Sequence, residues 1–508
     1  MLNFSKYFKK PVGNYILPVL GGFCLTLSFA PYNLSLLAWI AFIPLFYSLS
    51  DGKKPFLKGF IMGLAFFSTL LYWVALSDVV EGTFVPLVVL GAFLLIIYLS
   101  LFFGFSGILF DRLNKGKRVY LFPIVFAGLE FIRSLSSVWG FTWGSVGFSQ
   151  SRLIHFIQFA SIGGLPLVTL WVLALNVFIY LFFKSFRGKK NHRKIYLILF
   201  FSFIGIPFLH SEGILRGNIS GDEYTTVGVI QPNVLPSDKR ESSFERLLRI
   251  KNLIQEAPNA DLYVLPETAS PFSVSKDNSS GLLFSNLAKE KRALIITGMP
   301  DYERKEGGYI YYNAAAAIDS SGIEGIYRKI FLVPFVERLP FDDVIPKLKE
   351  VDLGQGQYTA GEDFTVFKFG DLAFSVYICY EAIFPQLIRK YVKNGAKMLV
   401  NITEDGWFGR TNGPYQHAQM AAFQSIIFRR AVVRSANTGV SLITDPYGRI
   451  LEKTRIFTTD YIVCEVPLLD WRTVYTRIGN IFGWFFFMFV LLVIAAELMS
   501  KYTGHKGV

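Results

Sequence analysis

Cysteine, histidine and charge are all scarce in this chain of 508 residues. It has three cysteines and five histidines, and only 18% of its residues are charged. The cysteines, Cys24, Cys379 and Cys464, are odd in number and widely spaced, which is not typical of a disulfide framework. No Cys-x-x-Cys pair or His/Cys cluster is present, so nothing in the sequence indicates a zinc site.

Apolar residues are abundant instead. Hydrophobic residues make up 52% of the chain and aromatic residues 17%, and the mean hydropathy is +0.40. These values are too high for an ordinary soluble enzyme and indicate a membrane protein with a sizeable polar part. The net charge is +13. Because the basic clusters lie between apolar segments, they indicate cytoplasmic membrane loops and argue against nucleic-acid binding.

The apolar residues are concentrated in eight candidate membrane segments. A helix needs about 20 residues to cross the hydrocarbon core, and the longer segments reach that length. They are residues 14–31, 34–50, 56–77, 84–110, 119–136, 160–183, 195–210 and 479–499. We therefore predict a membrane domain over residues 1–210, a polar domain over residues 211–478, and a C-terminal membrane helix with a short tail over residues 479–508.

The loops between these segments differ in charge. Lysine and arginine are frequent before the first segment and after the second, fourth and sixth, whereas residues 77–83 carry two acidic residues and no cation. Basic loops stay on the cytoplasmic side of a membrane. We therefore predict a multi-pass protein with both termini in the cytoplasm, and seven crossings then place residues 211–478 on the outer face.

The polar domain alternates short β-rich runs with helical patterns, which is typical of a layered α/β domain. Residues 211–223, with three glycines, predict a linker. The main predicted strands are residues 226–230, 262–265, 294–297, 309–318, 374–378, 398–402, 440–444 and 461–466. Predicted helices lie at about 240–256, 281–291, 383–394 and 416–434.

Three chemically different side chains stand at the ends of predicted strands. Glu267, Lys329 and Cys379 each follow a short run of apolar or β-branched residues. A thiol attacks only as the thiolate, and it therefore needs a base or a cation nearby. Glu267 suits the base, because the end of an apolar strand partly desolvates a carboxylate. Lys329 suits the stabilisation of an oxyanion, with the main-chain N–H of Tyr380 as a second donor.

Each of these residues also has an ordinary structural explanation. A buried cysteine is commonly a small core hydrophobe, a carboxylate at a strand end is commonly a loop residue, and a lysine is commonly solvated. His417 is the main histidine candidate beside the thiol, which leaves a Cys–His pairing open. The occurrence of all three residues in order, each at a strand end, favours a catalytic set.

The sequences around these residues resemble the three signature blocks of the nitrilase (carbon–nitrogen hydrolase) superfamily. Three features resemble the apolipoprotein N-acyltransferase family more narrowly. They are the form of the second block, two later motifs, and the layout of seven spans before the domain and one after it. The resemblance implies an α/β domain with an αββα sandwich beside a bundle of about eight transmembrane helices. The segments that carry it are Leu265–Thr268, Tyr327–Glu337, Ile378–Glu381, Asp405–Gly409 and Gly413–His417.

The resemblance also implies roles for individual residues. Glu267 is implied as the general base, Lys329 as the group that stabilises the tetrahedral intermediate, and Cys379 as the carrier of a thioester-linked acyl group. Five further residues are implied in support or substrate binding: Glu337 beside the lysine, Tyr380 and Glu381 at the pocket, Trp407 in a mobile lipid-contacting loop or packed on the core, and Asn313 as a cap or pin of a strand.

The implied reaction takes an acyl chain from a membrane phospholipid. Its acceptor is the α-amino group of the N-terminal diacylglyceryl-cysteine of an apolipoprotein, at the periplasmic face of the bacterial cytoplasmic (inner) membrane. No cofactor, metal or nucleic acid is implied.

Two alternatives remain open. One is a membrane-anchored amidase or other carbon–nitrogen hydrolase with the same triad, which has little need of eight spans. The other is a lipid transporter or lipoprotein-binding protein with an inactive enzyme domain. A broken triad or charged residues deep within the spans would favour this second alternative, and we expect neither.

Overall fold

The computed structural model divides the chain into two compact units. Met1–Tyr72, Gly91–Arg216 and Ile478–Val508 form the first, and Trp73–Leu90 and Gly217–Arg477 form the second. The described residues are 13–77, 85–136, 140–187, 191–217, 223–235, 242–305, 308–342, 344–345, 347–348 and 357–504. The basic N-terminus, the acidic loop after residue 77 and residues 218–222 of the predicted linker lie outside the described residues.

The membrane part is helical. Four of the described helices are long and apolar enough to cross a membrane: Val85–Lys115, Ala160–Lys184, His192–Leu215 and Ile481–Met499. Shorter apolar helices span Asn14–Leu27, Ser35–Leu49, Pro55–Leu70 and Val119–Ile132. The chain is therefore a membrane protein, and each predicted segment contains an apolar helix. Only four reach spanning length, so the predicted number of eight spans is not confirmed.

Proline shapes the shorter helices. The segment predicted over residues 34–50 divides into a 3-10 turn, Ser35–Trp39, and a helix, Ile43–Leu49, that has a proline in its first turn. The helix Pro55–Leu70 also begins with proline. The first turn tolerates proline because its N–H groups have no partner within the helix. The second predicted segment is therefore divided before Ile43, whereas the third is shorter than predicted because its helix ends at Leu70.

The fifth predicted segment carries buried charge. Glu130 and Arg133 are only 7% and 1% exposed. The Glu130 carboxylate accepts hydrogen bonds from the Val146 N–H at 2.8 Å and the Thr169 hydroxyl at 2.6 Å. Arg133 donates to the carbonyl oxygen of Trp143 at 2.6 Å. Glu130 lies in the last turn of the helix Phe122–Ile132 and Arg133 directly follows it, and hydrogen bonds within the first unit compensate these buried charges.

The second unit contains two six-stranded sheets among its described residues. The strands are β1 Glu223–Gln231, β2 Leu262–Val264, β3 Leu294–Lys305, β4 Gly308–Asp319, β5 Gly322–Arg328, β6 Phe367–Phe369, β7 Leu372–Ile378, β8 Met398–Thr403, β9 Ala431–Ala436, β10 Leu442–Thr444, β11 Ile450–Lys453 and β12 Asp460–Leu468. Their orders are β12-β1-β2-β3-β4-β5 and β11-β10-β9-β8-β7-β6. The predicted α/β domain is confirmed.

Helices and sheets form layers. Ser435 of β9 donates a hydrogen bond to the carbonyl oxygen of Ile230 in β1 at 3.0 Å, which joins the two sheets. Two helices, Ser243–Glu256 and Asn278–Lys291, bury apolar side chains against the first sheet. Two others, Pro385–Lys393 and Gly413–Phe428, pack on the second sheet. This arrangement is the αββα sandwich that the resemblance implies.

Parallel strands position the functional side chains. In the first sheet β1, β2 and β3 run parallel, and in the second β7, β8 and β9 do so. The C-terminal ends of parallel strands meet at one edge of a sheet. Glu267 follows β2, while Cys379 and Glu404 directly follow the neighbouring strands β7 and β8.

The predicted helix over residues 416–434 is partly wrong. The helix ends at Phe428, Arg429 takes a left-handed φ of 52°, and residues 431–436 form β9 between β8 and β10. The β-branched pair Val432 and Val433 favours the strand. A short apolar run buried on both faces has no clear period, so it is easily mistaken for helix. Strands β6 and β11 were not among the main predicted strands, and β5 was predicted only as the short run before Lys329.

Candidate active site

The structure brings Glu267, Lys329 and Cys379 together. Lys329 follows β5, and its main-chain N–H donates to the carbonyl oxygen of Asn313 in β4 at 2.8 Å. The Lys329 Nζ lies 3.6 Å from the Glu267 Oε1. Both side chains are buried, and Cys379 is half-buried. The charges of Glu267 and Lys329 both act on the thiol, so the three groups share one site.

An asparagine joins two carboxylates at this site. The Asn313 Nδ2 donates to the Glu267 Oε1 at 2.7 Å and to the Glu337 Oε1 at 2.8 Å. Glu337 also accepts from the Lys329 Nζ at 2.9 Å and from the Val333 N–H at 2.7 Å. The Asn313 side chain thus holds the two carboxylates in place, a role that differs from the predicted strand cap or pin.

The cluster has one more negative group than positive. Burial alone acts to lower the pKa of Lys329, but the carboxylates of Glu337 and Glu267 and the Cys379 sulfur outweigh it and raise that pKa above the ordinary value of lysine. The ammonium therefore stays charged between two carboxylates. One carboxylate suffices to balance it, so the other can accept a proton without leaving the lysine unpaired.

Cys379 stands in a strained turn. Cys379 has a φ of 49° and begins the 3-10 turn Cys379–Ile383 directly after β7. Thr268, directly after Glu267, has a φ of 53°. Positive φ is uncommon outside glycine, and such strain is concentrated at functional sites. Gly298 lets the segment of Glu267 approach β3, because a Cβ at position 298 would lie 2.6 Å from the Glu267 Cα.

The resting thiol is protonated. Burial raises the pKa of the Cys379 thiol well above its usual range, and the charge of Glu267 raises it further. Lys329 and a hydrogen bond with the Thr403 side chain lower the pKa, but by less. Attack by the sulfur therefore requires transfer of its proton to a base.

Glu381 holds the backbone next to Cys379. Its carboxylate accepts hydrogen bonds from the N–H of Ile378 at 2.6 Å, the N–H of Ile330 at 2.8 Å and the Tyr327 hydroxyl at 2.8 Å. Burial raises the pKa of Glu381 to about 7, against the opposing effect of its donors. These bonds tie the turn of Cys379 to the loop after Lys329.

Replacing Glu381 with glutamine is expected to destabilise the polar domain. The carboxamide offers one acceptor oxygen, so buried N–H donors lose their partner at a cost of about 2 kcal/mol. The thermal unfolding midpoint of the purified protein in detergent measures this loss. Glu362→Gln, at an exposed carboxylate, is the matched control and is expected to leave the midpoint unchanged. Equal midpoints for the two variants would contradict the proposed anchoring.

His417 supports the main chain of Cys379. Its Nε2 donates to the carbonyl oxygen of Cys379 at 3.0 Å, and its Nδ1 lies 2.9 Å from the Asp405 Oδ1. Asp405 also accepts from Arg434 at 2.7 Å. Burial alone acts to raise the pKa of Asp405, but Arg434 and His417 lower it to about 2. Both ring nitrogens of His417 are thus engaged by groups other than the thiol.

The loop that carries Trp407 is anchored by its neighbour. Trp407 is half-buried in a short 3-10 turn. The ring of Phe408 lies 4.6 Å from that of Trp73, and Trp73 donates to the Gln416 side chain at 3.2 Å. Tyr380 is buried, and its ring contacts that of Phe384 at 5.0 Å.

Sequence reasoning missed three residues of the site. Thr403 hydrogen-bonds with the thiol, and the main-chain N–H of Glu404 donates to the Glu267 Oε2 at 2.8 Å. Tyr358 donates its main-chain N–H to the carbonyl oxygen of Glu337 at 3.0 Å. Burial raises the pKa of Tyr358, and the Glu337 and Glu267 charges raise it further. The parallel alignment of β7 and β8 was a signal for Thr403 and Glu404, whereas no motif marks Tyr358.

The arrangement suits acyl transfer. It combines a protonated thiol, a carboxylate that can take the proton, and a permanent ammonium that can stabilise an oxyanion. Among the residues that the structure describes, no group of three or more His, Cys, Asp or Glu side chains could hold a metal ion.

Comparisons with known proteins find a match within each of the two units. Residues 21–178 match the model of the apolipoprotein N-acyltransferase N-terminal domain, and residues 226–476 match that of carbon–nitrogen hydrolases. A protein named apolipoprotein N-acyltransferase from Geobacter metallireducens is 31% identical over 98% of this chain and 97% of its own. Proteins of the same name are 29% identical in Chlorobaculum tepidum, over 93% of each chain. The one in Thermotoga maritima is 27% identical, over 97% of this chain and 94% of its own.

Proposed function

The chain belongs to the apolipoprotein N-acyltransferase family, and from that premise we propose that it acylates the N-terminal α-amino group of diacylglyceryl-modified apolipoproteins. The acyl donor is a membrane phospholipid. The observation that carries the proposal is the buried ammonium of Lys329 between two carboxylates and within electrostatic reach of the Cys379 thiol.

The first half-reaction forms a thioester. Glu267 takes the proton of the Cys379 thiol as the sulfur attacks the ester carbonyl of the phospholipid. The Lys329 ammonium stabilises the oxyanion of the tetrahedral intermediate. Its collapse breaks the ester C–O bond, and the leaving oxygen takes the proton from Glu267. A lysophospholipid departs, and the acyl chain stays on the sulfur.

The second half-reaction forms an amide. The α-amino group of the lipoprotein attacks the thioester carbonyl and gives a proton to Glu267. Lys329 again stabilises the oxyanion. Collapse breaks the C–S bond, and the sulfur recovers its proton from Glu267. The product is a triacylated lipoprotein, and the enzyme returns to its resting form.

The membrane topology follows from the same proposal. Residues 1–210 supply seven crossings of the bacterial inner membrane, and residues 479–508 supply the eighth crossing and a cytoplasmic tail. Residues 211–478 then form a periplasmic catalytic domain. Basic loop charges support this orientation. A site near the outer leaflet lets a phospholipid reach the thiol without leaving the bilayer.

An amidase with the same triad is not favoured. Full-length relatives carry the acyltransferase name, and the N-terminal family model covers part of the membrane domain. The hydrolase match alone covers only residues 226–476. Eight spans also contribute little to the hydrolysis of a small soluble amide.

Mass spectrometry of the acyl-enzyme tests the proposal. The purified protein, given phospholipid vesicles but no lipoprotein, is expected to gain one acyl mass on the peptide that contains Cys379. The peptides of Cys24 and Cys464 are internal controls, and they are expected to stay unmodified. The adduct should persist for as long as no amine is added, because transfer requires a thioester that resists water. Release of free fatty acid at the rate of acylation would indicate a hydrolase instead.

A further inference from the structure

One buried carboxyl at the site has no part in the chemistry described above. Glu404 directly follows β8 and is 5% exposed. Its main-chain N–H donates to the Glu267 Oε2 at 2.8 Å, so it binds the oxygen of the general base that faces away from Asn313. The orientation of the base therefore depends on where the backbone of Glu404 lies.

The side chain of Glu404 makes a second set of contacts. Its Oε1 accepts a hydrogen bond from the Gly406 N–H at 2.7 Å, in the turn that carries Trp407. Its Oε2 accepts from the Asn437 side chain at 2.5 Å. Asn437 follows β9 and also accepts from the N–H of Val234 at 2.9 Å. One residue thus joins the general base, the Trp407 turn and two neighbouring strand ends.

We propose that Glu404 is a positioning residue of the acyl transfer, which fixes the general base Glu267 and the Trp407 turn to one another. This inference rests on the proposed function. If the turn shifts, the backbone at Glu404 shifts with it, and the base loses its alignment with the thiol. A misplacement of about 1 Å can cost about 10²-fold in rate.

The charge around Glu404 supports this role. Burial raises the pKa of Glu404 to about 8, and the nearby carboxylates of Glu267 and Asp405 add to the rise. Asn437 and the N–H of Gly406 oppose it. At neutral pH the carboxyl is therefore mostly protonated, which avoids a further negative charge beside the base. Ionisation at alkaline pH introduces that charge.

The sign of the pH effect on stability follows from the raised pKa. A carboxyl whose pKa is higher in the folded protein stabilises it fully at acid pH, and that stabilisation is lost as the pH rises through the folded value. The wild-type unfolding midpoint is therefore expected to fall as the pH approaches about 8. Glutamine at position 404 cannot ionise, so Glu404→Gln is expected to lack this component of the decline, which lies between the ordinary pKa of a carboxyl and about 8.

Two variants and a pH series test the proposal. Glu404→Ala is expected to lower the rate of lysophospholipid release by about 10²-fold. Glu404→Gln is expected to recover part of that loss at neutral pH, since its carboxamide oxygen can accept from Gly406 while its NH2 group cannot accept from Asn437. Glu404→Gln is also expected to change how the rate of lysophospholipid release depends on pH in the alkaline range. Asp445→Asn removes another buried carboxyl and is the matched control, expected to lower stability without changing the rate.

The outcomes separate this inference from the proposed function. A wild-type protein that forms no acyl adduct on Cys379 would overturn the proposed function itself. If wild type forms the adduct and Glu404→Ala forms it within twofold of the same rate, only the role of Glu404 fails. Should Glu404→Ala not fold, an alkaline rate profile of Glu404→Gln identical to that of wild type overturns the role.

Discussion

Replacement of Cys379 by alanine is expected to abolish N-acylation completely. The proposed reaction has no route without a covalent acyl-enzyme, because the acyl chain must wait on the sulfur while the lysophospholipid leaves and the lipoprotein enters. Mass spectrometry of the N-terminal peptide of a diacylglyceryl lipoprotein, incubated with enzyme and phospholipid, measures the amide directly. Any N-acylation above that of an enzyme-free sample would refute the thioester mechanism.

The variant is expected to stay folded, so the loss of activity is informative. Alanine removes only the sulfur, and it meets the same strain at a φ of 49° that cysteine already bears. Glu381 continues to hold the turn through the N–H of Ile378. The matched control is Cys464→Ala, at a half-buried cysteine of β12, which is expected to keep full activity.

The three candidate residues could be predicted because each follows a short strand. Cys379 stands directly after β7, Lys329 directly after β5, and Glu267 three residues after β2. The strands β2 and β7 belong to different sheets, so the packing of the two sheets, and not the strand order within one sheet, brings these residues together. The strands themselves were visible as apolar and β-branched runs. Local sequence therefore marked the three candidate residues, and the full-length relatives then identified the family.

The supporting network could not be predicted, because main-chain groups supply much of it. Glu381 binds N–H groups of residues about 50 positions earlier in the chain. Glu404 contributes its own N–H to the base, and any residue other than proline has that donor. Such contacts depend on how loops from different strands meet, which no local pattern encodes. Asn313 lies in β4, and the sequence indicated a strand cap or pin there without indicating the two carboxylates that its side chain joins.

The buried charges of the two units illustrate a common constraint. Glu130 in the membrane part and Glu381 in the polar domain are both buried, and each accepts hydrogen bonds from main-chain N–H groups. A buried carboxylate without such donors is costly. The amino-acid composition shows that charged residues are few, but it does not indicate which of them are buried in the fold.

Replacement of Glu267 by glutamine is expected to slow thioester formation by about 10² to 10⁴-fold, the usual contribution of a general base. The variant keeps the size of the side chain, and its carboxamide oxygen can still accept from the N–H of Glu404. Lys329 also keeps Glu337 as its closer partner, at 2.9 Å. The rate of lysophospholipid release from vesicles measures the change.

A second measurement on the same variant separates base catalysis from a disturbed site. The charge of Glu267 raises the pKa of the Cys379 thiol, so its removal lowers that pKa and increases the thiolate fraction at fixed pH. Alkylation of Cys379 by iodoacetamide should then become faster while acyl transfer becomes slower. Faster alkylation together with slower acyl transfer is expected only if Glu267 accepts the proton during the reaction. Without that role, a larger thiolate fraction would speed both alkylation and acyl transfer. A variant that transfers acyl chains at more than a tenth of the wild-type rate would exclude Glu267 as the base.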